Sequence, residues 1–102
     1  MTTYTGVRTI DGIEVQADGA PLDPRTDLKR FTDRGFEWTY EGAEPSQLAL
    51  ALLAHHLGDD KKALGLCEAF MRRTVANLDN DWELTGAEID AALAELDGGQ
   101  AS

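Results

Sequence analysis

The run Pro45-Ser46-Gln47-Leu48-Ala49-Leu50-Ala51-Leu52-Leu53-Ala54-His55-His56-Leu57 leaves no wide polar stripe when wound into a helix. Leu48, Leu50, Leu52, Leu53 and Leu57 point in all directions, and Ala49, Ala51 and Ala54 fill the gaps. A helix that is apolar all round has to be covered on several sides. It is too short to span a bilayer, and two histidines close it. Pro45 suits the first helical position, where the fixed φ and the missing N–H cost nothing. The rest of the chain is therefore expected to wrap this helix.

The segment that delivers the chain to it is Gly35-Phe36-Glu37-Trp38-Thr39-Tyr40-Glu41-Gly42. Phe36, Trp38 and Tyr40 alternate with Glu37 and Thr39, and in an extended strand the three rings share one face. Gly42 breaks that strand. Upstream, Thr3 to Ile10 has strand composition, and Asp11-Gly12 reads as a two-residue hairpin turn. Ile13, Val15 and Ala17 alternate with polar residues, and Asp18-Gly19 reads as a second turn of the same kind. Residues 23–34 mix Pro and charge with little apolar pattern and read as the longest loop, anchored by Leu28 and Phe31.

Beyond the central helix, Gly58 reads as a left-handed helix end, and Asp59 or Asp60 as the cap of the next helix. Ala63, Cys67, Phe70, Met71, Thr74, Val75 and Leu78 recur at spacings of three and four, which makes one apolar face. Trp82 and Leu84 read as extended. Thr85-Gly86-Ala87-Glu88 fits a capping box for a third, short helix with Ile89, Ala92, Leu93 and Leu96 facing the core. The fold class predicted is α+β: an antiparallel sheet of about three strands, N-terminal, with Phe36, Trp38 and Tyr40 on its inner side, packed on three helices. Residues 1–97 read as one domain and 98–102 as a frayed tail.

The aromatic segment and the apolar run together resemble a domain-of-unknown-function family of small uncharacterised prokaryotic and viral proteins. That family's pattern is Gly-Phe-Glu-Trp-Gly-Tyr, a Gly-rich turn, then Pro-x-Gln-Leu-Ala-Leu-Ala-Leu-Leu. The matching positions are Gly35, Phe36, Glu37, Trp38, Tyr40, Gly42, Pro45, Gln47, Leu48, Ala49, Leu50, Ala51, Leu52 and Leu53. Pro21 to Arg25 and the run Trp82 to Ile89 also fit, so the resemblance spans most of the chain. Thr39, Glu41 and Glu44 depart from it, where the family is richer in small residues. The resemblance implies no activity.

Charge narrows the partners. Nine Lys plus Arg stand against nineteen Asp plus Glu, a net charge of −10. Such a chain repels nucleic-acid phosphates and anionic membranes, so neither is an expected partner. Excess acid with few lysines fits either an ordinary acidic protein or one adapted to a salt-rich cytoplasm, where carboxylate repulsion is screened. A mimic of DNA is a weaker reading, because the acids are spread along the chain. The first residues contain no apolar run of the kind a signal peptide needs, and a cytoplasmic location is expected. The single Cys67 cannot form an internal disulfide and lies in the apolar stripe of the second helix.

No catalytic set stands out. His55, His56, Asp59 and Asp60 are the best metal-like cluster, but Gly58 interrupts the helical spacing, and helix-end chemistry explains the same residues. Glu41 and Glu44 occupy the positive end of the central helix, which disfavours phosphate there. Glu37 is the one carboxylate between aromatics, and pairing with Arg8 or Arg34 explains it. The 23–34 loop carries four of the nine cations, Arg25, Lys29, Arg30 and Arg34. Candidate binding residues are therefore Arg25, Arg30, Arg34 and Glu37, with no catalytic residue, cofactor or metal site expected. The preferred reading is a small non-enzymatic interaction or accessory module with a protein partner, itself a monomer or weak dimer. The alternative is a ligand-binding protein or enzyme with its site between the aromatic strand 35–40 and the loop 23–34.

Overall fold

A computed structural model describes residues 2–101, with side chains described through Leu96. The chain is α+β, as its sequence predicts. A four-stranded antiparallel sheet has the order β3-β2-β1-β4, built from β1 (Thr3–Thr9), β2 (Gly12–Ala17), β3 (Ala20–Pro21) and β4 (Trp82–Thr85). Three helices accompany it: α1 (Ala43–Leu57), α2 (Asp60–Arg73) and α3 (Gly86–Ala101), with a 3-10 turn at Val75–Asn77 after α2.

Turn chemistry sets the hairpins. Asp18 and Gly19 both have positive φ, the conformation that a tight turn between right-twisted strands requires. The first turn differs from the expected Asp11-Gly12. Gly12 pairs with Thr9, so Ile10 and Asp11 form the turn. The Thr9 hydroxyl holds it, donating to the Gly12 carbonyl at 2.8 Å and accepting the Asp11 N–H at 3.2 Å. That competing side-chain bond moves the turn by one residue.

The pairing register puts Tyr4, Gly6, Arg8, Val15, Ala17, Trp82 and Leu84 on one face of the sheet. That face is the buried one; Thr3, Thr5, Val7, Glu14, Gln16 and Glu83 lie on the other.

Ten consecutive residues of α1, Pro45 to Ala54, are buried, which is the burial its composition demands. Tyr4 reaches α1 from the sheet side, its hydroxyl 2.8 Å from His55 Nδ1 and the two rings edge-on. On another side α2 packs its Ala63, Cys67, Phe70 and Met71. Pro45 sits at the third helical position, still within the first turn where its missing N–H is harmless. Gly58 ends α1 in the left-handed region at φ 65°, its N–H bonded to the Ala54 carbonyl. A residue with a Cβ would be strained there. The Asp59 side chain accepts the Lys62 N–H and caps α2.

Thr85 closes β4 and caps α3 in the same residue. Its hydroxyl accepts the Glu88 N–H at 3.2 Å, and Glu88 accepts the Thr85 N–H at 3.1 Å, a reciprocal capping box. Ile89 and Leu96 are buried as expected, while α3 is longer than its four apolar positions suggested. The frayed tail foreseen for 98–102 falls on side chains outside the described residues.

The segment 35–40 is not a strand. Trp38 is fully buried, Phe36 half-buried and Tyr40 42% exposed, so the three rings do not share a face. Thr39 breaks the alternation with φ 81°. The backbone finds its partner elsewhere, with Thr39 N–H bonded to the Val75 carbonyl at 3.3 Å rather than to a sheet edge. The edge position beside β1 belongs instead to β4, which pairs with β1 from Thr3 opposite Thr85 to Gly6 opposite Trp82.

Candidate functional site

The irregular stretch between β3 and α1 is held in place by one side chain. Gln47 is 1% exposed in the middle of an otherwise apolar helix. Its amide nitrogen donates to the carbonyls of Pro24 at 2.7 Å and Lys29 at 3.1 Å. Its oxygen accepts the Phe31 N–H at 2.9 Å. A buried amide is costly unless its donors and acceptor are engaged, and here the loop backbone engages them. The loop is thereby laid along α1, with Leu28 and Phe31 packed against the core.

Within that loop the candidate cations differ in state. Arg25 is half-buried at φ 56° and pairs with Asp27 and, across to α2, with Asp60, each at 3.1 Å. These bonds raise the Arg25 guanidinium pKa and hold the Asp27 carboxyl below its usual value. Lys29 lies over the Phe31 ring, 4.8 Å from its centre. Arg30 and Arg34 are exposed. Among the described residues, Lys29, Arg30 and Arg34 make no ion pair. Tyr40 is close to the same loop end through Glu44, which accepts its hydroxyl at 2.9 Å. A bond with the Thr32 side chain, then the Tyr40 bond, keeps the Glu44 carboxyl low.

Glu37 has a different neighbourhood. It pairs with Arg8 of β1 at 2.7 Å, both side chains about a third exposed. Arg8 also donates to the Trp38 carbonyl at 3.3 Å and lies over the Trp38 ring, 4.6 Å from its centre. The Trp38 indole N–H donates to the Asn80 carbonyl at 3.1 Å, and its ring meets Trp82 edge-on at 5.7 Å. Glu37 and Arg8 thus clamp the aromatic segment to the sheet. Arg25 and Glu37 take separate partners, Arg30 and Arg34 take no ion pair among the described residues, and the four form no joint constellation.

The histidine and aspartate cluster disperses. His55 meets Tyr4, His56 pairs with Asp90 at 2.7 Å, Asp59 caps α2 and Asp60 takes Arg25. Cys67 is buried, which pushes its thiol pKa up, and it donates to the Leu64 carbonyl at 3.5 Å. At the start of α1, Glu44 keeps Tyr40, while Glu41 faces Arg72 at 3.6 Å.

Two cavities open beside the irregular stretch. One of about 300 Å³ lies between Phe36 and the β2–β3 hairpin, against Val15, Pro21 and Leu22. The other, of about 270 Å³, is lined by Leu22, Asp23, Arg25, Ala51 and His55. Sequence reasoning did not foresee Gln47 or the Tyr4–His55 contact. The signal for Gln47 was present as the one amide inside an all-apolar helix. The Tyr4–His55 contact spans 51 positions and had none.

A family of unknown function, DUF6166, matches the chain over residues 4–95. No curated protein and no solved structure matches. Among the described residues, no helix is long and apolar enough to cross a membrane.

Proposed function

Because the chain belongs to the DUF6166 family, for which no function is described, we propose from its geometry that it is a small non-enzymatic interaction module. Its contact surface is the loop face carrying Lys29, Arg30, Phe31 and Arg34, and its partner is an acidic protein segment. One observation carries this reading: Gln47 fixes the loop backbone at three points, while the loop's outward cations stay free of ion pairs among the described residues. A net charge of −10 supplies ample carboxylates to neutralise those cations internally, yet among the described residues Arg25 alone of the loop's cations is taken up. A loop ordered in advance loses little freedom on docking. Unpaired cations steer an acidic partner and make the contact salt-sensitive.

The test is affinity capture from native extract at low and high salt, with an Arg30→Glu/Arg34→Glu variant alongside. The expected result is a partner retained at low salt, released by salt and lost by the variant. An acidic segment of that partner should then bind the purified chain directly. A variant that captures the same proteins as the parent would refute the loop as the surface.

The wider setting follows the same reading. We take residues 1–97 as one domain, working in a salt-rich cytoplasm of prokaryotic or viral origin. The Gly35–Tyr40 and Pro45–Leu53 runs are its family signature. Support comes from the acidity, and from the structural work done by Trp38 and Gln47 within those runs. If screening of carboxylate repulsion is at work, the melting temperature should rise from 0.1 M to 2 M KCl. An Asp18→Asn/Asp33→Asn/Asp81→Asn/Asp97→Asn variant should respond less, and an equal response in both would defeat the salt adaptation. A second reading, ligand binding beside the same loop, rests on the cavity that Asp23, Arg25 and His55 line.

A further inference from the structure

The cavity between the start of the 23–34 loop and α1 has an apolar floor and a polar wall. Leu22 and Ala51, both buried, form the floor. Asp23, Arg25 and His55 form the wall. At about 270 Å³ it has room for about nine waters at roughly 30 Å³ each. That is below the usual range for drug-sized ligands and suits a molecule of about eight non-hydrogen atoms.

The polar groups of the wall are held in fixed states. Burial pushes the Tyr4 hydroxyl up to about pKa 12, so it remains protonated at neutral pH. Its contact among the described residues is His55 Nδ1, at 2.8 Å. The protonated hydroxyl can donate to Nδ1, and in that tautomer Nε2 carries the ring hydrogen as a donor. Arg25 is fixed through Nε to Asp27 and through Nη2 to Asp27 and Asp60, which leaves Nη1 without a partner among the described residues. Asp23 uses Oδ1 to accept the Arg25 N–H at 2.9 Å, and Oδ2 has no partner among the described residues.

Residues that carry a spare guanidinium nitrogen, a spare carboxylate oxygen and an imidazole therefore line a small apolar floor. A simple anion meets the Asp23 carboxylate of the wall, and a guanidinium already paired with Asp27 and Asp60. A simple cation meets that guanidinium. A molecule bearing both charges satisfies both sides and needs no net charge of its own. We propose that this cavity binds a small zwitterionic α-amino acid with an apolar side chain. Its carboxylate takes His55 Nε2–H and Arg25 Nη1, its ammonium takes Asp23, and its side chain lies on Leu22 and Ala51.

The site is independent of the cationic loop face, so failure of partner capture leaves it standing. The probe is valine, compared with isovalerate, which lacks the ammonium, and isobutylamine, which lacks the carboxylate. Each is titrated into the full chain by calorimetry and followed by amide shifts at Ala51 and His55. Valine should bind saturably at millimolar concentration or below, and each analogue about tenfold or more weaker. Asp23→Asn keeps the oxygen that accepts the Arg25 N–H, so the fold should be retained, and valine affinity should fall about tenfold. The proposal is overturned by the absence of a saturable valine response. It is equally overturned by isovalerate or isobutylamine binding as tightly as valine, or by a folded Asp23→Asn variant with undiminished affinity. Should that variant melt early, the comparison of the three compounds on the parent chain still decides.

Discussion

Replacing Gln47 by Leu keeps the volume and removes three hydrogen bonds at once. The bonds lost are those to the Pro24 and Lys29 carbonyls and from the Phe31 N–H, at 2.7, 3.1 and 2.9 Å. At roughly 1 kcal/mol net for each bond, the loss is about 3 kcal/mol. The leucine recovers a fraction of this through its own burial, so about 2–3 kcal/mol should remain. For a domain of this size each kcal/mol moves Tm by roughly 4–8 °C, giving a fall of about 10–20 °C. The damage should be local first. The loop can peel from α1 and return its backbone groups to water, so the Phe31 amide should exchange rapidly with solvent while core amides of α1 stay protected. Gln47→Glu should be worse at neutral pH, because a carboxylate would face two carbonyl oxygens in a buried site. Lowering the pH should partly restore it, since a protonated acid regains one donor. Native-state amide exchange and thermal melts of both variants check this. A Tm within about 3 °C of the parent, together with a still-protected Phe31 amide, would refute the clamp.

Further outcomes follow from other contacts. Trp38→Ala should cost about 3–5 kcal/mol, read by denaturant unfolding, because the ring is fully buried and its N–H is engaged by Asn80. Thr85→Ala should cost about 1 kcal/mol by the same measurement, through loss of the hydroxyl that caps α3 at the Glu88 N–H. Tyr4 gives an alkaline limit. Its folded pKa, about 12, lies above the unfolded value near 10, so its contribution is complete below about pH 10 and is lost as pH rises towards about 12. A shift of that size is roughly 2–3 kcal/mol. Tyr4→Phe should remove this component of the alkaline transition, seen as a flatter stability profile across that window.

The elements whose signals are local were legible in the sequence. The burial of α1 follows from its composition, the apolar face of α2 from its spacing, and the caps at Gly58 and Thr85, with that of α2 narrowed to Asp59 or Asp60, from residue chemistry within a turn. The segment 36–40 misled because alternation reports only which side chains prefer burial in an extended chain. It does not report whether a partner edge is available. Thr39 at φ 81° is a cost that tertiary contacts impose and that no local pattern announces. The same limit hid β4: Trp82 and Leu84 read as extended and Thr85 as a cap, but the pairing with β1 joins positions about eighty apart in the chain. Of the candidate residues, Glu37 was placed with one of its two expected arginines, Arg8. The loop cations were found from composition, but the residue that orders the loop lies in α1 and was read as part of the helix alone.

The arrival of β4 at the sheet follows from the aromatic segment. Trp38 binds the Asn80 carbonyl through its indole N–H and packs edge-on against Trp82. It therefore grips the chain on both sides of Asp81, just where β4 begins. Trp82 lies over Gly6 of β1 so closely that a Cβ at position 6 would overlap the indole. Gly6 is thus required for the ring to lie flat on the sheet. The cost of this arrangement is visible, since the Trp82 indole N–H is buried without a partner among the described residues. Such a group costs roughly 1–3 kcal/mol. Burial of two indoles, each a large apolar surface, exceeds that cost, and the edge-on contact adds roughly 0.5–1.5 kcal/mol. Arg8 completes the layer from the open side by lying over Trp38 while Glu37 holds its guanidinium. The partly exposed ion pair is worth little by itself. Its effect is to fix the cation over the ring and to tie the aromatic segment to the strand that β4 must join. Segment 35–40 therefore organises the sheet without being a strand of it.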